Sequence, residues 1–204
     1  MKLIVFGATG GTGRALLEQG AAAGHVMTAF TRRPFPPAHP PPPQNVIIGD
    51  VLDLAAVATA MRGHDAVLSC LGTRPWRHVD ICSRGIATII PAMQAAGVKR
   101  IVAMSSIGVG EPKAGLIVRI GGALFLRKAF RDKLAMEQAL EPSNLDWVVV
   151  RPGFLTDGKP RGKWRTADDG SLKGGTISRV DIAAFMLQQV TSNEWLRKRP
   201  VLVW

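Results

Sequence analysis

The 204-residue chain contains no tyrosine. No side-chain phenol is therefore available anywhere as an acid, a base or a nucleophile. Cysteine is almost as scarce: Cys70 and Cys82 are the whole complement. Two thiols at that spacing suggest neither a disulfide framework nor a zinc site. His25, His39, His64 and His78 are scattered, with no carboxylate at a spacing that implies pairing. They receive no metal or catalytic role, and no metal is expected. Nothing approaches the run of about 20 apolar residues that crosses a bilayer as a helix. No leader precedes the β-like run that begins at Lys2, so a cytoplasmic protein is expected.

Acidic residues are also few. Fifteen Asp and Glu face 26 Lys and Arg, for a net charge of +11. That balance raises nucleic acid as a partner. The charge is spread along the chain, however, with small clusters at Lys159–Arg165 and Arg197–Arg199, and no nucleic-acid module accompanies it. A basic surface that favours anionic cofactors and substrates is the simpler reading. The nucleic-acid alternative predicts steeply salt-dependent DNA or RNA binding.

What is present is an ordinary globular composition, 47% hydrophobic and 20% charged. The length suits one domain over residues 1–204. Short β-like runs alternate with helix-like stretches. Strands are expected at Leu3–Phe6, Val26–Phe30, Val46–Ile48, Ala66–Cys70, Ile101–Met104 and Leu145–Val150, with a last short one at Pro200–Val203. Helices are expected at Arg14–Ala23, Leu54–Met61, Val79–Ala96, Ala123–Leu140 and Val180–Val190. This alternation argues for a parallel sheet covered on both faces. Right-handed crossovers make it an α/β, Rossmann-like doubly wound sheet, with the ligand crevice at the carboxyl ends of the strands. The one low-complexity run, TRRPFPPAHPPPPQN, reads as a stiff connection between the second and third strands. A polyproline ligand for a partner domain is the alternative.

The first strand runs straight into the turn GATGGTG, and a helix follows. Strand, glycine turn and helix together form a dinucleotide-binding context. Gly7 permits the tight turn. Gly10 lets backbone approach a pyrophosphate, and Gly13 lets helix and strand pack closely. The helix then presents free N–H groups and its positive dipole end to the anion. After the second strand come Thr31, Arg32 and Arg33, where an NAD-preferring site usually carries Asp or Glu for the ribose 2′-hydroxyl. A guanidinium suits a 2′-phosphate instead, so NADP(H) is expected over NAD. A solvated arginine pair at a loop start is the plainer alternative. The remaining strand ends carry Asp50 and Val51, then Cys70, Leu71 and Gly72, then Ser105 and Ser106, then Arg151, Pro152, Gly153 and Phe154. Their shared sheet edge is what makes them a candidate site.

These residues carry a resemblance. GATGGTG, GDVLD at Gly49–Asp53, DAVLSCLGT at Asp65–Thr73, GVKRIVAMSS at Gly97–Ser106, LDWVVVRPG at Leu145–Gly153 and ISRVDIAAFML at Ile177–Leu187 cover nearly the whole chain. In them the chain resembles the atypical short-chain dehydrogenase/reductase superfamily, in the NAD(P)-binding group that includes NmrA-like proteins and biliverdin reductase B/flavin reductase. The resemblance implies that Gly7, Thr9, Gly10, Gly11, Thr12 and Gly13 line the pyrophosphate. It places Arg32 at the 2′-phosphate, Asp50 and Val51 at the adenine, and Leu71 and Gly72 along the dinucleotide. Ser105 or Ser106 matches the serine near the nicotinamide, and Lys133 a lysine that contacts the nicotinamide ribose. Pro152, Gly153 and Phe154 would border nicotinamide and substrate.

The departures matter as much. The superfamily's tyrosine, four residues before its lysine, falls at Ala129 here. Phe154 stands where biliverdin reductase B has its active-site histidine. Two functions are consistent with this. One is an NADPH-dependent reductase that delivers hydride to a small conjugated acceptor such as a quinone, flavin or ketone. The other is a non-catalytic NADP(H) sensor of NmrA-like type. The bland readings stay open beside them: Ser105 and Ser106 as strand-end caps, Lys133 on a solvated helix face, Gly115–Phe130 as a cover over the substrate side of the crevice or, less simply, a membrane-surface segment. A small-molecule substrate is the expected partner.

Overall fold

The structure, a computed structural model, describes residues 1–34, 43–72, 80–110 and 123–204. Residues 35–42 of the proline-rich run and 115–122 of the Gly115–Phe130 stretch lie outside the described residues. Ten strands and five helices are described: β1 Lys2–Phe6, α1 Gly11–Ala22, β2 Val26–Thr31, β3 Asn45–Ile48, α2 Leu54–Met61, β4 Ala66–Ser69, α3 Ile81–Ala96, β5 Arg100–Met104, α4 Ala123–Leu140, β6 Asp146–Pro152, β7 Phe154–Thr156, β8 Arg165–Ala167, β9 Thr176–Ser178, α5 Arg179–Gln188 and β10 Val201–Val203.

The main sheet runs β3-β2-β1-β4-β5-β6-β10-β8, parallel throughout except for the antiparallel β10–β8 pair at its edge. The chain therefore starts in the middle of the sheet and winds outward twice, which is the doubly wound order expected. β1 shows why. Leu3 and Val5 face one layer, Ile4 and Phe6 the other, and all four are fully buried. A strand buried on both sides needs apolar residues at successive positions, not alternate ones. On one face, α1 packs beside α5, through Leu16, Leu17, Phe185 and Met186. On the other, α2, α3 and α4 pack in sequence, through Met61, Ile86, Met93 and Met136.

The differences from expectation are local. Helix α1 begins at Gly11, inside the glycine turn, three residues before the apolar pattern becomes visible. Strands β7, β8 and β9 were not expected at all. Each is three residues long, too short for a periodicity. β7 and β9 form a small parallel pair of their own beyond the end of β6. No described helix is long and apolar enough to cross a membrane.

Candidate functional site

Register brings the strand ends level. Phe6 pairs with Phe30 on one side and Ser69 on the other, Thr31 with Ile48, and Met104 with Val150. One residue further along each strand stand Gly7, Arg32, Gly49, Cys70 and Ser105, at one edge of the sheet. Thr9 to Gly13 continue from Gly7 into α1. Asp50, Val51, Leu71 and Gly72 follow at the same edge, and Pro152 and Gly153 close it at β6.

The turn is built for close approach. Gly7 has φ +78°, and a Cβ there would lie 2.4 Å from the Cys70 carbonyl oxygen. A Cβ on Gly13 would lie 2.3 Å from the Gly7 carbonyl oxygen. Both positions exclude a side chain on contact distance alone, and at Gly7 the backbone conformation excludes it too. The amino end of α1 is distinctive. Gly10 is its cap residue, no side chain caps it, and its first turn holds no acid. The starts of α2, α3 and α5 are satisfied from within the protein. Asp53 accepts the N–H groups of Ala55 and Ala56 at α2, Asp132 those of Cys82 and Ser83 at α3, and Ser178 that of Asp181 at α5. Of these starts, that of α1 alone presents uncapped N–H groups and its dipole at the crevice, which fits a dinucleotide pyrophosphate.

Around this turn the other predicted residues take different roles. Arg32 is exposed, and the Thr31 hydroxyl donates to the Arg33 carbonyl just beyond it. Asp50 accepts the Leu52 N–H at 3.0 Å, folding the loop after β3. Val51 and Leu71 are buried against Gly85 of α3, where a Cβ would meet the Leu71 side chain at 2.6 Å. They offer backbone, not side chain, to a ligand. Pro152 and Gly153 are buried, whereas Phe154 is 72% exposed on β7. Thr12 is buried and Thr9 half-buried.

The serine pair divides. Ser105 is 2% exposed, and its hydroxyl donates to Glu137 Oε1 at 2.5 Å. Ser106 is half-buried at the strand end. Lys133 does not lie on a solvated face. Its ammonium turns in and donates to the Ser105 carbonyl at 2.7 Å. Burial pulls its pKa down, against the opposing pull of nearby groups that include the Glu137 and Asp132 carboxylates. Burial likewise pushes the Cys70 and Cys82 thiols up to about 12, so neither is a nucleophile at neutral pH.

Several organising residues were not singled out from sequence. Glu137, 1% exposed, accepts from Ser105, from Arg151 Nε at 3.1 Å and Nη2 at 2.6 Å, and pairs with Arg199 Nε at 3.1 Å. Asp181 is buried and accepts from the backbone N–H groups of Arg161 and Gly162, the Ser178 hydroxyl and Trp204 Nε1. One signal was available: Lys133 and Glu137 stand four apart on α4, so both reach the same neighbouring strand. A cleft of about 480 Å³ opens beside Glu137, Arg151 and Arg199, away from the glycine turn. Both of those guanidiniums are already paired with carboxylates. Among the described residues no group of His, Cys, Asp and Glu could hold a metal.

A doubly wound sheet with a glycine turn that leads from its first strand into an uncapped helix defines a Rossmann-type dinucleotide-binding protein. The chain belongs to the NAD(P)H-binding family, whose profile matches residues 7–193. It is 27% identical over 205 residues to an uncharacterised chloroplastic protein of Arabidopsis thaliana, covering 95% of this chain and 73% of that one. It is 31% identical over 150 residues to the (4-alkanoyl-5-oxo-2,5-dihydrofuran-3-yl)methyl phosphate reductase of Streptomyces griseus, covering 74% of this chain and 46% of that enzyme. Among solved structures it is similar to ChuY, described as an anaerobillin reductase of Escherichia coli O157:H7. There the TM-score is 0.82 and identity 26%, over 100% of this chain and 97% of that one. The fold is thus that of NAD(P)H-binding oxidoreductases, and the relatives include reductases.

Proposed function

We propose that the protein is an NADPH-dependent reductase that transfers hydride to a small conjugated acceptor such as a quinone, flavin or ketone. The observation that carries the cofactor is the uncapped start of α1 beneath Gly7–Gly13, with Arg32 on the adjoining strand end. NADPH, when bound, supplies the hydride. The chain's own residues do the rest. Gly7, Thr9, Gly10, Gly11, Thr12 and Gly13 line the pyrophosphate, and the uncapped N–H groups at the start of α1 are its donors, while the Gly10 N–H keeps its own bond to the Gly7 carbonyl. Arg32 takes the 2′-phosphate through its guanidinium, Asp50 and Val51 border the adenine, and Leu71 and Gly72 lie along the dinucleotide. The Lys133 ammonium, held on the Ser105 carbonyl, is the donor for the nicotinamide ribose. Of the serine pair, Ser106 has the hydroxyl that polarises the acceptor, since the Ser105 hydroxyl is committed to Glu137. Pro152, Gly153 and Phe154 border the acceptor, and the exposed Phe154 ring favours a flat apolar one. With no phenol in the chain, the acceptor's proton comes from solvent. Rate then arises mainly from holding donor and acceptor in contact. We place this activity in the cytoplasm.

A second reading, a dinucleotide sensor that reduces nothing, is favoured by one observation. Ala129 stands four residues before Lys133, buried, where the superfamily's acid would be. The decisive experiment measures NADPH and NADH affinity for wild type and Arg32→Ala, and NADPH oxidation with a panel of quinones, flavins and conjugated ketones. A preference for NADPH that Arg32→Ala abolishes, with turnover of at least one acceptor, supports the reductase. Equal affinity for the two coenzymes in the wild type refutes the role of Arg32. Tight NADPH binding with no turnover across the panel refutes the reductase in favour of the sensor.

A further inference from the structure

Gly11 is the first residue of α1, and its φ is not in the left-handed region, so its backbone does not require glycine. Contact does. The three nearest heavy atoms to a Cβ built on Gly11 all belong to one side chain. They are Arg179 Cδ at 2.5 Å, Nε at 3.0 Å and Cζ at 3.9 Å. The arginine stem therefore lies across the amino end of α1, on the ground a side chain at position 11 would occupy. Arg179 opens α5, which packs beside α1, so the two residues meet although 168 positions separate them in sequence.

The guanidinium has one described ion partner. Its Nη1 donates to Asp157 Oδ1 at 2.5 Å, and the Asp157 side chain is 86% exposed. A carboxylate standing in water is a weakly held partner. It comes from a segment that is itself tied down: Asp181 accepts the Arg161 and Gly162 N–H groups, and the Arg161 guanidinium lies 4.0 Å from the Trp204 ring centre. Asp157 thus comes from a braced segment, and the Arg179 side chain it pairs with is the one that lies against Gly11 at the start of α1.

We infer that Arg179 is a further cofactor-binding residue, and that its guanidinium exchanges Asp157 for a pyrophosphate oxygen when a dinucleotide binds. The inference rests on the proposed nicotinamide cofactor, because that reading brings a pyrophosphate to the start of α1. A phosphate oxygen beside a helix dipole is a better partner for a guanidinium than an exposed carboxylate. Asp157 is then a competitor that the cofactor displaces. Arg179 differs from Arg32 in what it reads. The pyrophosphate is common to NADPH and NADH, whereas the 2′-phosphate is not.

The test measures dissociation constants for NADPH and NADH by nicotinamide fluorescence in wild type, Arg179→Gln, Arg179→Lys, Asp157→Asn and Arg32→Ala. Folding of each is checked by circular dichroism and thermal melting. Arg179→Gln should weaken both coenzymes by the same factor, roughly tenfold or more for a lost charged hydrogen bond. Arg179→Lys should recover part of that loss, and Asp157→Asn should bind both at least as tightly as wild type. Arg32→Ala should weaken NADPH alone. Arg179→Gln affinities within twofold of wild type overturn the inference. So does an Asp157→Asn protein as weak as Arg179→Gln, because the ion pair would then be a structural clamp. Wild type that binds neither coenzyme refutes the cofactor reading itself, an outcome separate from the other two.

Discussion

Replacing Glu137 by Gln isolates the element on which the β5 end of the site depends. The carboxylate is buried and meets the Ser105 hydroxyl, two nitrogens of Arg151 and one of Arg199. Gln keeps the shape and one acceptor oxygen. It removes the negative charge and turns an NH₂ group toward a guanidinium. Breaking a buried ion pair from one side costs about 3–5 kcal/mol, because the partner charge stays behind. The Arg151 and Arg199 side chains are 16% and 26% exposed, so some water reaches them and the lower end, about 3 kcal/mol, is expected. That is a large share of a typical stability of about 5–15 kcal/mol. At about 2–4 °C per kcal/mol for a chain of this size, the melting temperature should fall by roughly 6–12 °C. Urea unfolding gives the free energy directly, provided the slope with denaturant is unchanged. Ser105→Ala supplies the control: it loses one hydrogen bond to a charged acceptor, worth about 1.5–3 kcal/mol, and leaves the ion pairs intact. A loss below about 1 kcal/mol in Glu137→Gln would show that the cluster does not hold β5, β6 and α4 together, and would refute the reasoning. The pair of serines adds a functional arm. Ser105→Ala should cost stability and little turnover, whereas Ser106→Ala should cost turnover and little stability.

Four further outcomes are expected. Gly7→Ala should destabilise by at least about 2 kcal/mol in a urea melt, from the left-handed backbone and the clash with the Cys70 carbonyl. Gly10→Ala, 3.3 Å from the Gly7 carbonyl oxygen, should stay folded yet lose dinucleotide affinity. Burial raises the Asp181 pKa, but hydrogen bonds from Arg161, Trp204, Gly162 and Ser178 outweigh it and leave it lowered. A carboxyl group whose folded pKa is depressed stabilises fully above its unfolded value, near 3.9, and progressively less as pH falls through the folded value. Acid titration of the melting temperature should therefore be steeper in wild type than in Asp181→Asn below about pH 4. Both thiols should resist an aromatic disulfide reagent in the native protein at pH 8 and react fully in denaturant, since they are buried with pKa values near 12.

The fold was legible because its signals are local. A strand buried on both faces writes itself as a continuous apolar run. The glycine turn writes itself as a spacing, and the strand ends follow from the strands. Leu3–Phe6, Val26–Phe30 and Ala66–Cys70 fall within a residue of β1, β2 and β4. The place of the candidate residues at one sheet edge was legible for the same reason: parallel strands in register bring their carboxyl ends to one edge whatever the loops do. Strands β7, β8 and β9 were not legible. Three residues carry no period, and β8 is a strand only because β10 lies antiparallel beside it.

By itself, then, the sequence determined the architecture, the crevice and the absence of a phenol from any chemistry done there. Only the tertiary structure decided which polar groups are engaged inside it. Ser105 meets Glu137 across 32 positions, Asp132 meets the start of α3 across 50, and Arg179 reaches Gly11 from the far end of the chain. Such pairings have no period and no fixed spacing. Each follows from where packing leaves a charge that must find a partner once it is out of water.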